Sequence, residues 1–406
     1  MQHRIVVLGA GYTGAVAAGR VARRLHRADV SITLVNPEPD FVERVRLHQL
    51  AVGQELKPRP FVEMFAGTGV ALKLAKVTAV DADRKTVTVA PADGSEREVL
   101  EYDTLVYALG SGWNDGGVPG AATHAYEVSS RPGALRLRDR LAALDAGRPV
   151  VVVGGGLTGL EAATEIAEAR PDLDVALATH GAFGDWLSKK GRGHLRKVAD
   201  KLGITVHEYA AVNAVEADQV TTADGRTLPA DVTVWTTGFA VHPIAQATAL
   251  ELTDRGQIVV DATMRSVSHP DVYAVGDAAM AIGPNDKPLR MSCASGVPMA
   301  WQAADAIAAR LAGVKVPRVP IRYFQQCVSL GRKEGLIQFV TADDQTKDGA
   351  LTGRVAALYK ELICKGAAWG VANPTAGLPT RRRRVVQLPG SAAAAAATAP
   401  ATTTAA

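Results

Sequence analysis

Short apolar runs separated by glycine-rich turns and helix-forming stretches recur along this chain. Residues 4–8 and 31–35 are apolar runs, and residues 15–25 between them have the composition of a helix. Apolar runs of this length bounded by turn residues are typical of buried strands, so the opening predicts a β-α-β unit. The same order returns with strands at 150–153 and 174–178 around a second helix. The chain therefore contains an internal repeat.

Each predicted β-α-β unit is followed by residues that alternate between apolar and polar. Residues 77–89 and 99–109 alternate in this way around turn residues such as Asp93-Gly94. Residues 206–234 repeat the pattern after the second unit, with a turn at Asp224-Gly225. Alternation with tight turns predicts antiparallel strands.

A third, smaller unit of α+β type is predicted over residues 316–388. Residues 323–340 contain strand-like runs, and residues 351–364 form a helix with one apolar face. That face comprises Leu351, Val355, Leu358, Leu362 and Ile363. Residues 389–406 are dominated by Ala, Thr and Pro, which lack the means to build a packed core, so we expect a disordered tail.

The charge of the chain is nearly balanced. There are 45 basic and 41 acidic residues, and the run from Arg381 to Arg384 accounts for the whole excess. A nucleic-acid-binding domain spreads its basic residues over a folded face, so this distribution argues against nucleic acid as a partner.

The cysteines and the apolar stretches indicate a reducing compartment. Cys293, Cys327 and Cys364 are scattered and lack the spacing of a metal site or redox pair, so we interpret them as reduced, buried or idle. No uninterrupted apolar stretch approaches the ~20 residues that cross a bilayer. These features predict a cytoplasmic protein.

Both β-α-β units carry a glycine fingerprint of the form GxGxxG. The first has Gly9, Gly11 and Gly14, and the second has Gly154, Gly156 and Gly159. In such a loop the glycines permit a tight turn, the approach of a pyrophosphate and close packing of the helix on the strand. One match is weak evidence, but two in strand-loop-helix context predict an α/β protein with two Rossmann-like dinucleotide-binding domains.

The residue that ends the second strand of such a unit normally reads a ribose through an acidic side chain. Asn36 holds this position in the first unit, with Glu38 nearby, and Thr179 and His180 hold it in the second. Because Thr179 and His180 of the second unit carry no carboxylate, no negative charge at this position would repel the 2′-phosphate of NADPH. Basic residues follow at Lys189, Lys190 and Arg192, so NADH and NADPH both remain open.

Three further segments complete a family resemblance: Tyr107 to Gly110, Thr236 to Phe239 and Val272 to Asp277. With the two fingerprints they resemble the two-dinucleotide-binding-domain flavoproteins, in the branch of type II NADH dehydrogenases and apoptosis-inducing-factor-like proteins. The resemblance covers roughly residues 1–315. It implies an FAD domain formed by residues 1–115 and 241–315, into which an NAD(P)H domain of residues 116–240 is inserted.

The resemblance also implies which residues bind the two dinucleotides. Asp277 would bond the ribityl chain of FAD. The other FAD-binding residues would be Gly9, Gly11, Tyr12, Thr13, Gly14, Asn36, Gly110 and Gly276. Those for NAD(P)H would be Gly154, Gly156, Gly159, Thr179 and Gly238.

Two residues are implied to be catalytic. Glu161 matches a glutamate that relatives place beside the nicotinamide and the flavin, although a first-turn carboxylate can simply serve the helix dipole. Gln302 stands one position from the glutamine of the Ala-Gln motif of quinone-reducing relatives, because Trp301 occupies that position. In relatives this motif opens a helix over the flavin, and we expect that helix to start near Val297.

No pair of cysteines follows either fingerprint, so electrons are expected to pass from the flavin directly to an outside acceptor. That acceptor is a quinone-like small molecule or a small iron–sulfur protein, which would dock on Arg332, Lys333 and Arg381 to Arg384. A redox-sensing flavoprotein is the third alternative. The predicted helix carries Arg354, Lys360 and Lys365 and is followed by Trp369, so a peripheral contact with the inner face of the cell membrane is an open alternative. We nevertheless expect the apolar face of this helix to pack on the body of the protein. A homodimer is open too.

Overall fold

The computed structural model describes residues 2–377 and 381–386. It consists of a mixed seven-stranded sheet, a parallel five-stranded sheet, two antiparallel three-stranded sheets, two short strand pairs and the helices that pack against them. The predicted tail at 389–406 lies outside the described residues. Within the described part of the chain, no helix combines the length and apolar character needed to span a bilayer.

The first sheet has seven strands, and its first five neighbours run parallel. In spatial order the strands are Val272–Ala274, Thr104–Tyr107, His3–Leu8, Val30–Asn36, Val70–Asp81, Thr86–Pro91 and Glu98–Glu101. Because Val272–Ala274 follows the second domain in sequence yet pairs with Thr104–Tyr107, this domain is discontinuous, as the resemblance implied.

The expectation of antiparallel strands throughout residues 99–109 is wrong for the second half of that segment. Thr104–Tyr107 pairs in parallel with His3–Leu8, and all four of its residues are buried. A strand covered on both faces suits the centre of a parallel sheet, whereas Glu98–Glu101 is half exposed and pairs antiparallel at the edge.

The second sheet has five strands, all parallel. In spatial order they are Thr205–His207, Asp174–Ala178, Pro149–Val153, Val232–Trp235 and Ala125–Tyr126. A three-stranded antiparallel sheet lies beside them and comprises Val212–Val215, Gln219–Thr222 and Thr227–Pro229. The predicted turn at Asp224-Gly225 joins the last two of these strands, and the N–H of Gly225 donates to the carbonyl of Thr222 at 2.9 Å.

Two short strand pairs complete the two larger domains. Ser111–Trp113 pairs with Phe239–Val241 where the chain passes between the domains, and Ile258–Val259 pairs with Ala279–Met280. The α-helices are Tyr12–Arg24, Leu47–Leu50, Phe61–Met64, Ala121–His124, Arg131–Ala142, Leu157–Ala169, Lys189–Lys201, Cys293–Leu311 and Gly353–Ala372. The 3-10 turns are Arg44–Arg46, Pro243–Ala247, Gly276–Ala278 and Pro284–Asp286.

The helix that we expected to begin near Val297 begins at Cys293. Pro298 therefore lies within the first turns of this helix and does not end it. It packs against Tyr12–Arg24, and the carboxylate of Asp305 binds the guanidinium groups of both Arg20 and Arg24 at 2.8 to 2.9 Å.

The third unit has three antiparallel strands, Gln325–Ser329, Gly335–Val340 and Thr346–Thr352, followed by the helix Gly353–Ala372. The expected packing of its apolar face against the protein is wrong. Val355, Leu358 and Leu362 are 63 to 71 % exposed. The buried face instead carries Ala356, Cys364, Ala368 and Val371, whose small side chains allow the helix to approach the body closely.

Candidate active site

The first fingerprint loop is built so that only one of its glycines faces open space. Gly9 has φ +87°, and a Cβ there would lie 2.5 Å from the carbonyl oxygen of Ala108. A Cβ on Gly14 would overlap the carbonyl of Gly9, whereas a Cβ on Gly11 would meet nothing within 4 Å. Gly11 also caps the helix Tyr12–Arg24. A phosphate at Gly11 would therefore meet backbone N–H groups and the positive end of the helix dipole.

The residues around this loop hold it in place and line the same space. The N–H of Ala10 donates to Oδ1 of Asn36 at 3.0 Å, so Asn36 fixes the loop as well as facing the cavity. Thr13 packs against Gly276, because a Cβ on Gly276 would lie only 3.0 Å from the methyl group of Thr13.

Asp277 also lines the cavity, and its Oδ2 accepts a hydrogen bond from the hydroxyl of Ser111 at 2.6 Å. Gly110 has φ +69° and lines the cavity next to Ser111. Tyr12 is buried with its ring edge against Phe41 at 4.9 Å, and its hydroxyl has no hydrogen-bond partner among the described residues.

The second fingerprint loop repeats this construction. Gly154 has φ +124° and lies against Thr236, while a Cβ on Gly159 would overlap the carbonyl of Gly154. Gly156 faces open space and caps the helix Leu157–Ala169. Thr179 is buried directly beneath Gly155, so its side chain supports the loop from below.

A cavity of about 1420 Å³ joins the two halves of the protein, larger than the ~300–1,000 Å³ of an ordinary small-molecule site. The predicted site residues that line it are Gly9, Gly11, Tyr12, Thr13, Asn36, Gly110, Glu161, Gly276 and Asp277. Gly14, Gly154, Gly156, Gly159, Thr179, Gly238 and Gln302 do not line it. The predicted FAD-binding residues other than Gly14 thus converge with Glu161 on one space, which Leu157 and Thr158 at the start of the second fingerprint helix also line.

Glu161 is the centre of a buried cluster at the junction of three units. Its Oε1 atom accepts hydrogen bonds from the backbone N–H and the hydroxyl of Ser329, both at 3.1 Å, and lies 3.0 Å from Nζ of Lys360. Its Oε2 atom lies 3.8 Å from Nδ1 of His48. Glu161 and His48 are 9 % and 5 % exposed. The carboxylate of this second-domain residue therefore contacts the first domain through His48 and the third unit through Ser329 and Lys360.

The charges in this cluster are set by burial and by the pairing. Burial by itself would raise the pKa of Glu161, but Lys360, His48 and the Ser329 amide outweigh it, so the pKa is held below its ordinary value. Burial likewise opposes the charge on Lys360, yet Glu161 raises the pKa of this lysine above its ordinary range. Burial lowers the pKa of His48 to about 4. At neutral pH the site holds an ion pair beside an uncharged imidazole.

The structure does not bring Gln302 to the site. Its Nε2 donates to the carbonyl of Pro317 and its Oε1 accepts from the N–H of Val319 at 3.0 Å, so both ends of the amide hold the loop after the helix. Its neighbour Trp301 lines the cavity instead, is 46 % exposed and stacks with Arg20 at 5.8 Å. A one-residue shift turns a helix by about 100°, which explains why the displaced glutamine faces the body.

Sequence reasoning missed the role of Lys360. Lys360 was placed on an exposed basic face, but its side chain is 15 % exposed and points into the cavity. The available signal was the spacing of four between Ala356, Lys360 and Cys364, which puts the lysine on the small-residue face that packs inward.

All three cysteines line the one cavity and are free thiols. Burial raises the pKa of Cys293 and of Cys327 to about 11 and raises that of Cys364 as well. The thiolate is the reactive form of cysteine, so at neutral pH these side chains behave as small apolar groups.

Two glycine fingerprint loops, an open cradle at each and a charged cluster on the shared cavity are the features of a flavoprotein oxidoreductase that uses a nicotinamide dinucleotide. Residues 3–308 match the family model of pyridine nucleotide-disulphide oxidoreductases. The chain belongs to this family.

Relatives within the family are NADH dehydrogenase-like proteins and quinone oxidoreductases. The chain is 31 % identical over 318 residues to an NADH dehydrogenase-like protein of Mycobacterium tuberculosis, covering 73 % of this chain and 78 % of the relative. It is 28 % identical over 326 residues to the type II NADH:quinone oxidoreductase NdhA of the same organism, covering 70 % and 67 %. NDH2 of Plasmodium falciparum in complex with NADH shares the fold, with a TM-score of 0.77, 14 % identity and coverage of 92 % and 97 %.

Proposed function

We propose that the protein is an FAD-dependent NADH oxidoreductase that passes electrons to a quinone-like acceptor without a redox disulfide. The observation that carries the proposal is the convergence of the first fingerprint loop and Glu161 of the second fingerprint helix on one cavity. A resident flavin at the first loop and a nucleotide at the second would then meet beside Glu161.

FAD fits the first site because Gly11 leaves room for a pyrophosphate, and because Asp277 faces the same space. When bound, the flavin would take up a hydride and release electrons one or two at a time. Protein residues contribute position and charge. Gly9, Gly11 and Gly14 would hold the pyrophosphate, and Gly154, Gly156 and Gly159 the nicotinamide dinucleotide.

The Glu161 cluster would act on the acceptor. Reduction of a quinone to a quinol builds negative charge on the quinone oxygens, and the ammonium group of Lys360 is a fixed positive charge at the cavity wall. The carboxylate of Glu161, only 3.0 Å away, keeps this ammonium charged and in place. The relatives named as quinone oxidoreductases support this choice of acceptor.

Anaerobic stopped-flow reduction of the purified yellow protein tests the proposal. Addition of NADH should bleach the flavin absorbance, and a quinone panel should restore it. Absence of bleaching with either nucleotide would remove the proposal. Reoxidation by ferredoxin that high salt abolishes, without reoxidation by quinones, would favour the iron–sulfur alternative. Arg332 and Arg384 are already paired with Glu165 and Asp29, which weakens the basic docking surface that this alternative needs.

We also propose that the helix Gly353–Ala372 lies on anionic membrane. Val355, Leu358, Leu362 and Trp369 are all at least 60 % exposed along it. Arg354 and Lys365 are exposed on the same helix. An apolar face beside basic residues binds the boundary of anionic lipids.

Co-sedimentation with phosphatidylglycerol vesicles tests the membrane contact. The wild-type protein should pellet with the vesicles, and the variant Leu358→Glu/Leu362→Glu should stay in the supernatant. The matched control is Val62→Glu, which changes a 69 % exposed apolar residue in the first domain. If the wild-type protein ignores vesicles but sediments as a dimer that the double variant dissociates, the face is a homodimer interface and the membrane proposal is wrong.

A further inference from the structure

Residues 381–386, here called the arginine segment, are bound to the first domain through their main chain. The N–H of Arg383 donates to the carbonyl of Arg24 at 2.8 Å, and the carbonyl of Arg383 accepts from the N–H of His26 at 2.9 Å. These bonds attach the segment to the end of the first fingerprint helix, which finishes at Arg24. The attachment uses backbone groups, so it does not consume the arginine side chains.

A second set of contacts fixes the end of the arginine segment. The N–H of Val386 donates to the carbonyl of Leu311 at 2.8 Å. The N–H of Val385 donates to Oδ2 of Asp29 at 3.0 Å, and Oδ1 of the same carboxylate lies 3.2 Å from the guanidinium of Arg384. Asp29 therefore holds the segment and neutralises the last of its four arginines.

The arginine segment frames a second cavity of about 560 Å³. Five of its seven lining residues are arginines, namely Arg24 and the run from Arg381 to Arg384, and the other two are Ala312 and Val314. Arg24 also lines the main cavity, whereas the four arginines of the segment do not. The volume lies within the ~300–1,000 Å³ of ordinary small-molecule sites. The second cavity is therefore a separate, strongly basic space of ligand size.

Acidic side chains cancel only part of the positive charge around this cavity. Among the described residues, none of them pairs with Arg381 to Arg383, whose side chains are exposed. Asp305 is shared between Arg20 and Arg24, so one carboxylate serves two guanidinium groups. Like charges held at one cavity repel each other, and an anion between them relieves the repulsion.

The chemistry of the guanidinium group indicates which anion fits. Its planar array of N–H donors matches the oxygens of a phosphate two at a time, and it gives up its hydration more readily than an ammonium group does. Every position of the run from Arg381 to Arg384 is arginine. One cation at the end of a helix is enough to serve the helix dipole, so a run of four exceeds that need. Several guanidinium groups around one cavity suit a ligand with more than one phosphate.

We infer that the arginine segment and Arg24 form a binding site for a compound that carries two or more phosphate groups, outside both dinucleotide sites. The guanidinium groups of Arg381 to Arg383 and of Arg24 bind the phosphate oxygens, while Arg384 stays paired with Asp29. A soluble polyphosphate compound and the phosphate headgroups of a membrane share this chemistry. The inference goes beyond the proposed function and does not depend on it.

Calorimetric titration of the FAD-loaded full chain with inorganic tripolyphosphate, at about 0.15 M ionic strength, tests the site. The wild-type protein should bind the probe. The triple variant Arg381→Gln/Arg382→Gln/Arg383→Gln should bind it at least about tenfold more weakly, because three cations are lost from the cavity. The matched control is Arg97→Gln/Arg131→Gln/Arg255→Gln, which removes the same charge from exposed positions elsewhere and should bind as the wild type does. No binding by the wild type, or equal weakening in both triple variants, would overturn the inference.

Thermal denaturation and vesicle competition complete the test. Tripolyphosphate should raise the melting temperature of the wild type and of the control but not that of the segment variant, because a ligand stabilises the folded state that it binds. Phosphatidylglycerol vesicles that displace tripolyphosphate would assign the site to lipid headgroups, and vesicles that leave it bound would assign the site to a soluble compound. A protein that ignores tripolyphosphate, but whose reoxidation by ferredoxin is lost in the segment variant, would show a docking surface for an iron–sulfur protein and contradict the inference.

Discussion

Nζ of Lys360 lies 3.0 Å from Oε1 of Glu161, and this ion pair joins the C-terminal helix to the second fingerprint helix across the wall of the cavity. The two residues are 199 positions apart in sequence. The pair makes the third unit part of the candidate active site, because a change in the position of the C-terminal helix would move a charge at the cavity wall.

Removal of one partner of this pair should be costly. Glu161→Gln leaves the Lys360 ammonium buried without its counter-ion, so the free energy of unfolding should fall by about 3–5 kcal/mol. Lys360→Met should cost a similar amount, and the double variant should cost less than either single variant. Urea unfolding of the four proteins measures this, and strictly additive losses would show that the two residues do not interact.

The uncharged state of His48 should make stability depend on pH. In the folded protein burial lowers its pKa to about 4, whereas in the unfolded chain it is near 6.5. Between these values the unfolded state binds the extra proton, so stability is full above about pH 6.5 and falls as pH decreases toward 4, by up to about 3 kcal/mol.

The variant His48→Gln removes the titrating group and should flatten this part of the stability profile. The control is His124→Gln on a surface helix, which should keep the wild-type slope. A His48→Gln profile that still falls with the wild-type slope between pH 6.5 and 4 would assign the dependence to other groups. The charged groups nearest to His48 are Glu161, Lys360, Arg332 and Arg46.

The glycines of the first loop should separate cofactor binding from folding. Gly11→Val fills space that meets no protein atom, so the variant should fold but retain little FAD. Gly14→Ala places a methyl group on the carbonyl of Gly9 and should lower the melting temperature of the protein itself. The ratio of flavin to protein absorbance and the melting curve of each variant check both statements. Stoichiometric FAD in Gly11→Val would refute the assignment of this loop.

Trp301 and Gln302 should have opposite phenotypes although they are neighbours. Trp301→Ala removes an indole from the cavity wall, so we expect the KM for the quinone to rise several-fold while the rate of flavin reduction by NADH stays the same. Gln302→Ala breaks two hydrogen bonds to the loop at 317–319 and should lower stability by about 1–3 kcal/mol without changing the KM. A raised KM for the quinone in Gln302→Ala together with an unchanged KM in Trp301→Ala would instead indicate that Gln302 faces the acceptor.

The sequence by itself determined the two fingerprints, their strands and helices, and the absence of a cysteine pair after either loop. These features are local, because a glycine turn between a strand and a helix is specified by residues within a few positions of one another. The discontinuity of the first domain was also predicted, because the order of the family's motifs along the chain is enough to recognise it.

Only the tertiary structure decided what faces the cavity. Lys360 and Cys364 share the inward face of one helix through their spacing of four, but His48, Cys293 and Cys327 come from distant segments, and no pattern in the sequence indicates that they meet this face. The apolar stripe of the C-terminal helix was predicted to be buried, but the stripe by itself does not show which face of the helix packs against the protein. The face with small residues packs there, because small side chains allow a closer approach, and the apolar stripe is left exposed. Gln302 was misplaced for a related reason, since a shift of one residue on a helix reverses what a side chain contacts, and only the packed neighbours fix the rotation.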